Sequence, residues 1–173
     1  MAIPLYDATV ANFLQVLTGV SGFLDKGLKH CQEKGIDLAE LVEYKLAPDM
    51  LPFRFQVLAV SHHSKGALEG AKAGIFRPPS GPMNHTYADL QKVVTEARDA
   101  LQQVKREEVE ALQGKDVVFQ MGDFKLPFTA ENFLLSFSTP NLFFHATTAY
   151  DILRLKGAPI GKRDFMGPPR LKT

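Results

Sequence analysis

Between Leu5 and Lys34, apolar side chains recur at three- and four-residue steps: Val10, Phe13, Leu14, Leu17, Val20, Leu24, Leu28 and Cys31. Only an α-helix puts residues so spaced on one face. A helix this long needs partners along its whole apolar stripe, which points to a bundle of helices. Gly19, Gly22 and Gly27 interrupt the pattern. Each weakens a helix by about 1 kcal/mol against Ala, or marks a close approach by a neighbour. Gly35 stands where a left-handed cap would end the helix.

The rest of the chain supplies such partners. Ile36 to Leu46 predicts a short helix that stops before Pro48. Pro52 to Ala73 predicts a second long helix, with Phe53, Val57, Val60, Ser64, Ala67 and Ala71 on one stripe. A loop over 74–85 carries three prolines. Thr86 and Asp89 then form a capping-box-like start for a third helix, carrying Tyr87, Leu90, Val94, Ala97, Leu101 and Val104 and running to about Gln113. From Asp116 to Phe128 the period changes to two, with a Gly122-Asp123 turn, which predicts a β-hairpin. Thr129 can cap a last helix that runs to about Lys156, and Pro140 either kinks or restarts it. The tail from about 158 to 173 reads as extended and basic. The expected architecture is all-α: an up-down four-helix bundle with a small β-hairpin before the last helix, in one domain over 1–173.

Bulk properties exclude several functions. A net charge of +1 offers no field for nucleic acid or anionic lipid. A single cysteine, Cys31, forbids an internal disulfide and suits a reducing compartment. No apolar run reaches the roughly 18 residues of a membrane span, and the N-terminus lacks a signal-peptide pattern. The expectation is a cytoplasmic protein with no nucleic-acid or membrane partner. H-E-x-x-H, P-loop and G-x-S-x-G motifs are missing from the sequence.

The informative polar residues lie on the last helix. Asn141, His145 and Thr148 are spaced i, i+4, i+7 on the stripe of Leu134, Phe137 and Ile152. Buried polar groups need partners, so His145 is either a hydrogen-bonded core histidine or a ligand or base in a central cleft walled by Asn141 and Thr148. On the second helix, His63 sits at the edge of the inner stripe, whereas His62 points away from it towards solvent. His30 and His85 read as structural or exposed. Asp7 and Asp49 read as helix caps, or as carboxylates that join the histidines.

These residues carry a family resemblance over nearly the whole length. PLYDATV at the start, LAPDMLPF before the second helix, SHHSKG within it, PNLFFHATTAYDILR on the last helix and GAPIGKRDFMG in the tail resemble an uncharacterised branch of the DinB/YfiT-like superfamily. The resemblance implies an up-down four-helix bundle, often dimeric. It also implies a three-histidine metal site, with one histidine on the second helix and a pair four residues apart on the last, which serves transferase- or hydrolase-like chemistry in some members. His63 matches the second-helix ligand and His145 the first of the pair. The third position is Ala149, which cannot coordinate. Two histidines bind a divalent metal such as zinc, nickel or iron weakly unless a carboxylate completes the set.

Two functional classes follow. One is a homodimeric bundle with a degenerate metal site that binds a small ligand. The other is a metal-dependent enzyme acting on a small molecule at His63 and His145. The small-residue faces and glycines of the first helix, with the family resemblance, favour a homodimer. The residues assign no catalytic role to any position.

Overall fold

The computed structural model describes residues 3–81 and 83–172. Most of them are helical, and a small three-stranded sheet lies among the helices. The long helix expected from Leu5 is broken near its start into α1 (Leu5–Ala8) and α2 (Val10–Lys34). The break falls at Thr9, whose buried hydroxyl donates to the Leu5 carbonyl at 2.6 Å and competes with the helical ladder. Gly35 closes α2 in the left-handed region, at φ 66°. A short α3 (Leu38–Glu43) follows, capped by Asp37 through the Ala39 amide.

The second long unit is α4 (Phe53–Ser61), a π-helical turn (His62–Gly66) and α5 (Ala67–Ala73). A π turn wraps i to i+5 and holds one residue more than an α turn, so it rotates the side chains that follow it. The buried Ser64 hydroxyl donates to the Val60 carbonyl inside this stretch at 2.7 Å. Then come α6 (Tyr87–Gln102), which carries the expected Thr86–Asp89 capping box, and a separate α7 (Arg106–Glu110). The third helix therefore stops earlier than its apolar spacing predicts. In compensation, the Glu110 carboxylate accepts hydrogen bonds from the amides of Leu5 and Tyr6 and caps the start of the chain's first helix from α7.

The last helical unit is α8 (Ala130–Asn132), a second π turn (Phe133–Ser138) and α9 (Thr139–Leu155). Pro140 stands in the first turn of α9, where regular α-helix restarts after the π turn. The missing proline N–H is absorbed by the wider turn just before it, where the Thr139 hydroxyl donates to the Leu134 carbonyl at 2.7 Å.

The hairpin forms as expected. β2 (Asp116–Met121) pairs antiparallel with β3 (Phe124–Thr129), with Phe119 opposite Leu126. A strand that the sequence did not announce, β1 (Ile75–Phe76), adds to β2 in parallel, so the small sheet has three strands rather than the two of a hairpin. Two residues are too few to show alternation. The tail is not simply extended either: α10 (Lys162–Met166) forms within it and lies on α2.

α2 packs on α6 and α9, and α4 packs on the same two helices. Their shared interior buries Phe13, Leu17, Val57, Val60, Leu90, Val94 and Ile152 completely, and Phe137 in part. Burial of such side chains contributes roughly 1.5–3 kcal/mol each. Among the described residues, no helix is long and apolar enough to cross a membrane.

Candidate functional site

The two π turns meet through the rings of His63 and Phe137. The first carries His63, and the second carries Phe133 and Phe137. The His63 ring is buried, with Phe76 at 5.5 Å and Phe137 at 5.9 Å between ring centres. His145, on α9, lies almost parallel to it at 5.8 Å, with 16° between the planes. Phe55 and Phe144 meet the half-buried His145 ring edge-on. The structure therefore brings together the two histidines that the sequence paired, within a wall of phenylalanine.

Their electrostatics follow from that wall. Burial pulls the His63 pKa down to about 3, helped by the neighbouring His62 and His145. Burial pulls His145 down to about 4, with a smaller contribution from His62. Both rings are neutral at physiological pH. His145 Nδ1 sits 2.8 Å from Gln56 Oε1, whereas His63 Nδ1 is buried without a hydrogen-bond partner among the described residues.

His62 is half-buried rather than fully in solvent. Its ring stacks on Phe76 at 4.4 Å, its Nε2 donates to the Arg77 carbonyl at 2.8 Å, and burial lowers its pKa. A helical wheel cannot show this, because β1 and the segment after it cover that face of the helix. Asn141 and Thr148 share the α9 face with His145, but each bonds its own helix, to the carbonyls of Phe137 and Phe144. Asp7 is not a cap; Arg106 holds it through two hydrogen bonds of 2.7 Å, which lower its pKa. Asp49 is exposed in the turn before α4, where Pro52 occupies the cap position. His30 is buried, its Nε2 donating to the Lys156 carbonyl, and His85 is half-buried.

Gln56 is the residue whose role the sequence left unread. It is 2 % exposed, a polar side chain three positions after Phe53 on the inward stripe. That misplaced polarity was the available signal.

A divalent metal in the manner of zinc enzymes needs three protein ligands. Ala149, at the third position, is fully buried among apolar side chains. Among the described residues, no three His, Cys, Asp or Glu side chains are placed to hold a metal ion. The donor set thus does not fit a three-ligand metal.

The sequence profile of a domain of unknown function (DUF1993) matches residues 5–166. The chain belongs to this family. The fold of this chain is similar to the crystal structure of a DinB family member protein from Shewanella denitrificans, with a TM-score of 0.79 at 25% identity. The match covers 98% of this chain and 95% of that one. This DUF1993 member is thus part of an uncharacterised DinB-like branch. No curated protein matches it.

Proposed function

We propose that this protein is a homodimeric helical bundle that binds a small neutral molecule beside His63 and His145. The ligand has an apolar body and one hydrogen-bond donor. The reading rests on one observation: two neutral imidazoles are held in parallel within a phenylalanine wall. A neutral imidazole keeps one lone-pair nitrogen, which accepts a hydrogen bond, and the phenylalanines supply apolar contact. Metal-dependent transfer or hydrolysis is the second reading. It draws on the same neutral rings, the state in which imidazole ligates, but it lacks a third protein ligand.

The bundle is read as an up-down set of four long helical units: α2, α4 to α5, α6 and α9. Its support is the packing of α2 and α4 on the same two neighbours. The homodimer reading now rests on α9 rather than on the glycines of α2. Gly19 is covered by the tail and Gly27 by Tyr87 and Leu153, whereas Phe143 and Phe144 are 40 % and 55 % exposed.

Phenol serves as the probe. In wild type it should give saturable shifts in the ¹H–¹⁵N spectrum centred on α4 and α9, and these should vanish in His145→Ala. Zinc, nickel and ferrous iron are titrated in parallel while melting temperature is followed. A stoichiometric rise that His145→Ala abolishes would replace this reading with the metal-dependent one. Light scattering at micromolar concentration tests the dimer, and a monomeric mass refutes it.

A further inference from the structure

We propose that Gln56 is a positioning residue: it fixes the tautomer of His145 and leaves Nε2 as the nitrogen that meets a ligand. The inference rests on His145 being the working group of the proposed site, but its test does not.

The chain just before α4 sets the direction of the Gln56 amide. The Pro52 carbonyl, at the N-cap, already accepts from the Gln56 backbone amide at 3.2 Å. The Leu51 carbonyl lies one residue further out and has no place in the helical ladder. The Gln56 side chain turns back to it, with Nε2 2.7 Å from the Leu51 oxygen. A carbonyl oxygen only accepts, so this contact settles which end of the amide is which. The NH₂ group faces Leu51, and Oε1 faces the other way.

Oε1 is the atom 2.8 Å from His145 Nδ1. It too only accepts. The hydrogen of the neutral ring is therefore on Nδ1, and Nε2 bears the lone pair. Free histidine in water favours the opposite arrangement, with the hydrogen on Nε2. Leu51, Gln56 and His145 thus form a directed chain that reverses the ordinary preference.

The surroundings hold the ring in that setting. His63 stacks on one face, and Phe55 and Phe144 approach edge-on at 72° and 81°. Gln56 itself is buried, so water does not compete for its amide. Nε2 has no hydrogen-bond partner among the described residues. The consequence is selectivity: a ligand that donates, such as a hydroxyl or N–H, is accepted at Nε2, and one that only accepts is refused. Phenol and anisole differ in this respect and little else.

The test reads the tautomer directly, without ligand. The full chain is labelled with ¹⁵N-histidine, and long-range ¹H–¹⁵N spectra are recorded at pH 7. Wild type should show a protonated Nδ1 and an unprotonated Nε2 at His145. Gln56→Leu should shift His145 towards the Nε2–H form. Gln56→Asn, one methylene shorter, cannot span from the Leu51 carbonyl to Nδ1, and should shift His145 the same way. An Nε2–H tautomer in wild type overturns the proposal, as does an unchanged Nδ1–H pattern in Gln56→Leu. If Gln56→Leu does not fold, wild type and Gln56→Asn still decide: an Nε2–H form in wild type or an unchanged Nδ1–H pattern in Gln56→Asn overturns it, and Nδ1–H in wild type with a shift in Gln56→Asn supports it. Phenol and anisole titrations are run separately. Should neither bind while the tautomer is as stated, the ligand reading fails and the role of Gln56 stands.

Discussion

The imidazoles of His63 and His145 lie 5.8 Å apart and within 16° of parallel, yet among the described residues His145 Nδ1 has a hydrogen-bond partner and His63 Nδ1 has none. A buried nitrogen without a partner costs stability, of order 1–3 kcal/mol. The fold carries that cost at His63, one of the positions that the family resemblance marks as a ligand.

His63→Phe should therefore not weaken the protein. The ring shape is kept, the neighbours Phe76 and Phe137 are already aromatic, and the unpaired nitrogen disappears. Expected is a change between zero and about 1 kcal/mol in the stabilising direction, read from urea denaturation. A loss of more than about 2 kcal/mol would show that the imidazole is structural after all.

His145→Ala should destabilise by about 1 kcal/mol. It strips Gln56 Oε1 of its donor, but the half-exposed ring leaves room for water to take its place. Gln56→Ala removes a fully enclosed side chain as well as the bond, and should cost more, about 2–3 kcal/mol. Urea midpoints for the two variants should rank in that order.

Acid should unfold the protein in a window set by these rings. In the unfolded chain a histidine protonates near 6.5, whereas in the fold His63 and His145 stay neutral down to about 3 and about 4. Between these values the unfolded state binds more protons, so stability falls as pH drops. It is intact above pH 6.5, and the loss from the pair is complete once pH passes the folded values. Each ring contributes a slope of up to about 1.4 kcal/mol per pH unit. The double variant His63→Phe with His145→Phe should flatten the dependence between pH 6.5 and 4.5. An equally steep fall would assign acid sensitivity to other groups.

The tail should be separable by one methyl group. A Cβ on Gly19 would lie 2.3 Å from the Phe165 carbonyl oxygen, a backbone atom that cannot swing aside. Gly19→Ala should lift α10 off α2, loosen the Lys26–Asp164 ion pair, and expose the tail to limited proteolysis. Three residues on, a Cβ on Gly22 would meet nothing within 4 Å among the described residues. Gly22→Ala should stabilise by up to about 1 kcal/mol and leave the tail protected. If both variants are digested alike, the Gly19 contact is not what seats the tail.

Spacing and composition in the sequence by themselves determined the helices and their inward faces. Val10 to Cys31, Phe53 to Ala71 and Tyr87 to Leu101 each repeat near 3.6 residues, and the alternation from Val117 to Phe128 marks the hairpin. Local caps such as Thr86 with Asp89 were equally readable, because their partners lie within one turn. The tertiary structure decided whatever depends on a distant partner. Glu110 caps the start of α1 from across the chain, and Asp7, free of that duty, pairs with Arg106. Gly19 is small because α10 crosses it. His62 is covered by β1, and the polar Gln56 is tolerated in the core because Leu51 and His145 satisfy both ends of its amide. A helical period reports which side of a helix is apolar. It cannot report which groups the other elements bring to that side, and a buried polar atom is settled only by those.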